Sequence, residues 1–328
     1  MKALITGGRG FIGSFLVKKL LHKGIQVRCL LRNKGRDQGW LNGLDFEHSN
    51  GDITDPKSLP QAVKGVHYIF HLAGLTKSNS KSDFFKINAN GTKNLLEATW
   101  NNNPNLKRFV LVSSLAAVGP SPHGKLLTEL DAPRPITNYG KSKLKAEEIT
   151  LKFANKLPIS IVRPPAVYGP RDRDIFGLFK YAKYGWIPVL SGGPRFSSVI
   201  YVKDLVEGIL LVVEKEKALG KVYFLSDDKP YSWDYFGGAV AQVLNVRPRR
   251  FVIPLPLAFL VSCGFELIAN LTKQPTLFSL DKYRELKATH WICDNSKAKK
   301  ELGFRPRFGL QKGLHETAQW YLENGWIE

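Results

Sequence analysis

Acidic residues are scarce in this chain. Its 328 residues hold 28 Asp+Glu against 48 Lys+Arg, a formal charge of +20. A field of that sign attracts nucleic acid, anionic lipid headgroups or a phosphorylated ligand. Motifs that would direct it to nucleic acid are missing. There is no RNP sequence, no zinc finger and no basic region running into heptads, so no nucleic-acid partner is expected. The basic residues are spread along the chain, with small clusters at Lys297–Lys300 and Arg247–Arg250, as on a solvated surface. Cysteine is also scarce. Cys29, Cys263 and Cys293 are scattered with no CxxC pair, which excludes a disulfide framework and a zinc knuckle and suits a reducing compartment. No metal site is expected. A first strand that begins at residue 2 leaves no room for a signal peptide, and the expected location is cytoplasmic. Repeats and low-complexity tracts are absent. The most apolar run, Leu255–Leu271, is slightly short for a membrane span and contains Gly264 and Glu266. Apolar content of 43% and charged content of 23% are ordinary globular values in a chain longer than one average domain.

What is present begins at once. Lys2–Ile5 reads as a short buried strand, and Thr6–Gly13, TGGRGFIG, turns directly into an apolar helix over Phe15–Leu21. Glycines at 7, 10 and 13 serve a strand-to-helix turn that touches a pyrophosphate. The first permits the tight turn, the second lets backbone approach the ligand, and the third lets helix pack on strand. The anion would sit on unpaired N–H groups at the helix N-terminus. Strand before and helix after are the context that makes a glycine triplet a dinucleotide site.

Gln26–Leu31 is the next strand, and it ends in Arg32 with Lys34 and Arg36 close behind. An acidic side chain here would take ribose hydroxyls; a guanidinium pairs instead with a 2′-phosphate, so the sequence favours NADP(H) over NAD(H). Phe46–Ser49 is a short strand, followed by Gly51-Asp52-Ile53. Val66–Leu72 is an apolar strand ending in Ala73-Gly74, and its His67 and His71 read as core residues. Phe84–Trp100 is helical. Phe109–Val112 delivers Ser113-Ser114 to its carboxyl end, and Ile159–Val162 leads into Arg163–Pro170. Alternating strands and helices give an α/β fold, a doubly wound parallel sheet with ligands at the carboxyl ends of its strands. From Pro164 onward proline, glycine and aromatics rise. Val199–Val213 and Val222–Leu225 look like returns to the sheet, and Asp294–Phe308 reads as a helix. The division is thus 1–165, a Rossmann-type domain with sheet returns within 197–226, and 166–328, mostly a smaller, interleaved C-terminal substrate lobe.

Tyr139 and Lys143 are four residues apart, which places a phenol and an ammonium on one helix face. Ionising a free tyrosine at pH 7 costs about 4 kcal/mol. A neighbouring Lys⁺ lowers that cost and makes Tyr139 a general acid/base, while Lys143 can also hold the nicotinamide ribose. Ser114 would hydrogen-bond the substrate oxygen.

With these residues the chain resembles an extended short-chain dehydrogenase/reductase of the NAD-dependent epimerase/dehydratase superfamily. The matching stretches are Thr6–Gly13, Gly51-Asp52, His71–Gly74, Asn88 with Gly91–Leu96, Ser113-Ser114, Tyr139–Lys143, Arg163–Pro170, Tyr201–Asp204 and Glu301–Pro306. The resemblance implies that Ser114, Tyr139 and Lys143 are catalytic. It implies a cofactor site of Gly7, Gly10, Phe11, Ile12, Gly13, Arg32, Asp52, Ile53, Leu72, Ala73, Gly74 and Pro164, with Tyr139 and Lys143. It also implies a homodimer, for which Phe84–Trp100 and Tyr139–Phe153 could supply a four-helix interface. Ser114 is favoured over Ser113 by its interval to Gly119.

Two departures bear on the branch. Nucleotide-sugar enzymes of this family carry an asparagine where Ala166 stands, and an arginine just before the strand at Ser197–Tyr201, where the nearest here is Arg195. Losing both anchors argues against a sugar nucleotide. Ser113–Pro120 and Arg163–Pro170 instead resemble the 3β-hydroxysteroid dehydrogenase and dihydroflavonol reductase branch. The expected activity is hydride transfer between a nicotinamide cofactor and a hydroxyl or keto group of an apolar, lipid- or steroid-like small molecule. A nucleotide-sugar epimerase or dehydratase with tightly bound NAD(P) is the alternative, and a non-catalytic cofactor sensor a further one. Leu255–Leu271 reads either as a buried helix capping the substrate lobe or as an interfacial helix on an anionic membrane, which would make the protein peripheral at the inner membrane face.

Overall fold

A computed structural model describes residues 1–32, 38–272 and 279–327. Seven parallel strands form its main sheet: β1 (Lys2–Thr6), β2 (Gln26–Leu31), β3 (Glu47–Asn50), β4 (Tyr68–His71), β5 (Arg108–Val112), β6 (Ile159–Arg163) and β7 (Val222–Phe224), in the order β7-β6-β5-β4-β1-β2-β3. The order reverses beside β1, and that reversal opens the crevice in which ligands of such sheets bind. Strand residues alternate between two cores. Ala3, Ile5, Phe70, Val110 and Val162 face one, while Leu4, Ile69, Phe109, Leu111 and Ile161 face the other. Both faces are apolar because helices cover both, which is why these strands read as unbroken apolar runs.

The first core is closed by α1 (Phe11–His22) and the second by α2 (Gly91–Asn102) and α3 (Asn138–Lys152). The expected helix over Phe84–Trp100 is composite: Lys81–Phe84 is helical, Phe85–Asn90 widens to a π-helical turn, and Gly91–Asn102 continues it. Of the two expected returns to the sheet, Val222–Phe224 joins it beside β6. The other needs correction. Val199–Tyr201 pairs with Ala166–Tyr168 in a separate ladder, and α4 (Val202–Glu214) is a helix that packs into the first core. The apolar strand Val199–Tyr201 passes into the helix without a turn residue between them, which hides the change of element.

The second lobe has its own core, built on Tyr168, Phe179, Phe236, Leu314 and Tyr321. The Asp204 carboxylate fastens the lobes by accepting the backbone N–H groups of Arg307 and Phe308, both at 2.9 Å. The expected helix over Asp294–Phe308 is shorter, Ser296–Leu302, and ends on left-handed Gly303 (φ 70°). Two further helices of this lobe matter below: α5 (Leu255–Thr272) and α6 (Leu280–Lys287).

Candidate active site

The glycine turn is shaped by close approach. Gly7 has φ 77°, and a Cβ there would lie 2.7 Å from the Ala73 nitrogen on the loop after β4. A Cβ at Gly13 would collide with the Gly7 carbonyl oxygen. The turn is held by Gly10 N–H donating to that same carbonyl at 3.0 Å. Gly10 caps α1 without a side-chain bond, and no acidic residue stands in the first turn, so the helix N-terminus keeps donors directed at an anion. Phe11 and Ile12, half-buried, follow directly, and both pack against the second lobe's core.

Beside this turn a cleft of about 500 Å³ is lined by Arg9, Arg32, Asn50, Gly51, Asp52, Asp55 and Ser58. Asp52 folds one carboxylate oxygen back onto Thr54, from N–H at 2.8 Å and hydroxyl at 2.9 Å, and presents the other to Arg32 at 4.0 Å. The Arg32 side chain is 78% exposed at the mouth. Lys34 and Arg36 lie outside the described residues. Ile53 is buried beneath Gly91, and its carbonyl accepts from Asn94. Arg9 was visible in the sequence inside the glycine turn yet carried no assignment; its Nε is buried without a hydrogen-bond partner among the described residues. An orphan guanidinium nitrogen, a carboxylate and a backbone cradle in one cleft fit the phosphate and ribose end of a nicotinamide dinucleotide.

Leu72–Gly74 run along the inner edge of the crevice. Leu72 N–H donates to Thr6 O and Ala73 N–H to Thr6 Oγ1, both at 3.1 Å. His71 is buried between Thr6 Oγ1 at 2.7 Å and Thr92 Oγ1 at 2.9 Å; burial, with the Lys143 charge, holds it down at about 3. It is a neutral core residue, as the sequence reading has it. Asn88, in the π-helical turn, clamps the next residue. It accepts from Leu75 N–H at 2.7 Å, donates to Leu75 O at 3.0 Å, and donates to Ser142 Oγ at 2.9 Å.

The reacting end is assembled by one glycine. Thr137 caps α3 by accepting Gly140 N–H at 3.0 Å. A Cβ at Gly140 would run into the Ala116 carbonyl oxygen, so only glycine lets α3 press on the short turn Leu115–Ala117. Ser114 caps that turn by accepting Ala116 N–H at 3.1 Å, and its hydroxyl bears on the Tyr139 phenol. Leu115 N–H donates to Pro164 O at 2.8 Å, which places the start of the Pro164 loop beside the same turn. Ser113 faces elsewhere, its buried hydroxyl unpaired among the described residues.

Burial pushes Tyr139 up to about 12, against a lowering influence of the Ser114 hydroxyl; Glu285 and Asp174 raise it further. The Lys143 ammonium is buried and donates to Val112 O at 2.7 Å; burial pulls it down to about 8, opposed by Glu147. Glu147, one turn further along, forms a buried fork with Arg163 at 2.6–3.1 Å that locks α3 to β6. Nothing in the sequence signals this pair beyond the place of Arg163 at the head of the Arg163–Pro170 stretch. Nor does the sequence place α6 here. Asp281 accepts Asn138 N–H at 2.7 Å across 143 residues of sequence.

Arg195 has a defined role. Its guanidinium donates to four backbone carbonyls, Leu286, Leu190, Gly193 and Ser191, at 2.9–3.0 Å. Those bonds tie α6 to the 190–193 loop and leave little donor capacity for a diphosphate. Ala166 offers no polar atom beyond backbone.

A family model described as "NAD dependent epimerase/dehydratase family" matches residues 3–225. A ceramide reductase of Caulobacter vibrioides is 33% identical over 326 residues, covering 98% of this chain and 95% of that protein. The mouse sterol-4-alpha-carboxylate 3-dehydrogenase, decarboxylating, is 28% identical over 97% of this chain and 90% of its own. Among solved structures, a UDP-glucose 4-epimerase of Thermotoga maritima superposes with a TM-score of 0.81 at 23% identity, covering 99% of each chain, which is likeness of fold.

Proposed function

We propose, from the premise that this chain belongs to the NAD dependent epimerase/dehydratase family, that this enzyme of the extended short-chain dehydrogenase/reductase type reduces a keto group on a long-chain, largely apolar molecule. When bound, the nicotinamide supplies the hydride that reaches the carbonyl carbon. Ser114 hydrogen-bonds the carbonyl oxygen and polarises it. Tyr139 gives that oxygen its proton, and Lys143 holds the ribose and the local positive charge. Glycines 7, 10 and 13 with Phe11 and Ile12 carry the pyrophosphate turn, Asp52 and Ile53 the adenine end, and Leu72–Gly74 with Pro164 the wall of the crevice. Arg9 and Arg32 on one cleft support a preference for NADP(H), because two guanidiniums match a 2′-phosphate.

The observation that carries the reading is the contact of Gly140 with the Ala116 carbonyl, which brings the start of α3, and with it Tyr139, against the turn that Ser114 caps; a phenol beside the hydroxyl that polarises the substrate oxygen is placed to protonate it. The engagement of Arg195 with four carbonyls supports an apolar substrate over a sugar nucleotide, and likeness to a ceramide reductase supports a lipid ketone. A peripheral position on an anionic membrane and a homodimer complete the reading.

Thermal shift of the NADPH-saturated protein with UDP, dTDP and GDP tests it. A ligand bound only by the folded state raises stability by RT ln(1 + [L]/Kd). No shift is expected, together with stoichiometric NADPH consumption on a lipid ketone. A clear shift without net NADPH consumption overturns it in favour of epimerisation.

A further inference from the structure

Helix α5 is amphipathic in the wrong sense for a soluble protein. Its stripe at positions i, i+3, i+4, i+10, i+11 and i+14 is Leu257, Leu260, Val261, Leu267, Ile268 and Leu271, and every one is exposed, Leu260 by 65%, Leu267 by 63% and Leu271 by 76%. The face turned inward carries Ser262 and Ala269, both buried, and Glu266, the helix's one charged residue, whose carboxylate accepts Leu280 N–H at 2.7 Å. The sequence alternative of a buried capping helix is therefore overturned. Burial of the small and polar face with exposure of the leucines marks a surface made for an apolar medium.

The rim decides which medium. The strand Arg249–Ile253 runs into α5 through Pro254, and it exposes Arg249, Arg250 and Phe251. Exposed Trp186 on the paired strand stands 6.4 Å from Phe251, with exposed Lys183 shortly before it. Aromatics and cations beside an apolar stripe are the composition of a bilayer interface. A second copy of this chain would oppose like charges at that rim, within a molecule of net +20. No helix among the described residues is long and apolar enough to cross a membrane.

We propose that α5 docks into the headgroup region of an anionic bilayer and that the substrate reaches the active site from there. Substrate entry rests on the reductase reading; docking does not. The path is short. Phe259 packs on Tyr283 of α6 with ring centroids 5.3 Å apart, and α6 holds the start of α3 through Asp281, one residue before Tyr139. One helix thus separates the docked face from the phenol.

The experiment compares the whole protein with Leu260→Gln/Leu267→Gln/Leu271→Gln, and separately with Arg249→Glu/Arg250→Glu. All five side chains are exposed, and thermal midpoint with NADPH checks that both variants fold. Co-sedimentation uses vesicles of phosphatidylcholine with or without phosphatidylglycerol. Turnover is read on a water-soluble ketone and on a long-chain ketone in the vesicles. Wild type should bind the anionic vesicles, and the triple variant at least a hundredfold more weakly, from the lost transfer of three leucine side chains. The charge reversal should lose the preference for phosphatidylglycerol. The triple variant should reduce the soluble ketone as wild type does and fail on the embedded one. Wild type remaining in the supernatant, or a triple variant that binds normally, overturns the docking. A triple variant that changes from dimer to monomer overturns it in favour of a second copy. Leucine-dependent binding with neither ketone reduced sustains the docking and overturns the reductase reading.

Discussion

Tyr139 is protonated at neutral pH, and burial, which raises it to about 12, holds the proton more firmly. A protonated phenol is ready to donate to a carbonyl oxygen, whereas the reverse reaction needs the phenolate. Tyr139→Phe should lower turnover by about 10²–10⁴-fold and leave the NADPH-induced thermal shift intact; loss of that shift would remove Tyr139 from its proposed role. Lys143 sets the alkaline limit. It is held down at about 8, so its charge is present below that pH and lost above it. The kcat/KM for reduction should be level below pH 8 and fall above it, and in Lys143→Arg the fall should vanish, since guanidinium stays charged. A profile level to pH 10 in the native enzyme would assign Lys143 no electrostatic part. In the adenosine cleft, Arg32→Glu exchanges a fork donor for a repelling carboxylate. A charge-assisted hydrogen bond is worth about 1.5–3 kcal/mol, so KM for NADPH should rise roughly 10- to 100-fold while that for NADH changes little.

At the scale of elements, the contact between α3 and the Leu115–Ala117 turn is the joint on which the chemistry depends. Gly140→Ala puts a methyl into the Ala116 carbonyl, which should cost about 1–3 kcal/mol of stability and separate Ser114 from Tyr139. The signature is a lowered kcat with cofactor affinity retained. Gly264→Ala is the control: it sits in α5 with nothing near its side, where alanine should be neutral or stabilising by up to about 1 kcal/mol. Equal loss in both variants would deny Gly140 its special place. The helix and the glycine turn were legible from spacing alone, and β2 falls at Gln26–Leu31 as read. The joint was not legible, since nothing within Tyr139–Lys143 announces that its glycine meets the Ala116 carbonyl. Helix α4 was hidden for another reason: the apolar strand Val199–Tyr201 runs straight into it, although Lys203, Glu207 and Glu214 recur at helical spacing along its outer face.

For the whole molecule, local pattern carried the main sheet and its glycine turn, while the pieces contributed from far along the chain stayed hidden. Arg195 reads as a displaced diphosphate anchor, and only folding shows it tying α6 to its own loop. The direction of the α5 stripe is likewise a property of what packs behind it, because sequence fixes periodicity but not which side faces out. That distinction bears on assembly. Two exposed apolar faces are candidates for the proposed dimer contact, the leucine stripe of α5 and the sides of α2 and α3 that expose Trp100 and Leu151. The family resemblance favours the latter, and the basic rim disfavours the former. Light scattering should therefore find a dimer that Trp100→Glu/Leu151→Glu converts to monomer, at little cost in folding because both side chains are exposed. The α5 leucine variant should remain dimeric in the same measurement. The opposite pairing, a dimer held by α5 and indifferent to Trp100 and Leu151, would move the interface and leave the membrane without its docking face.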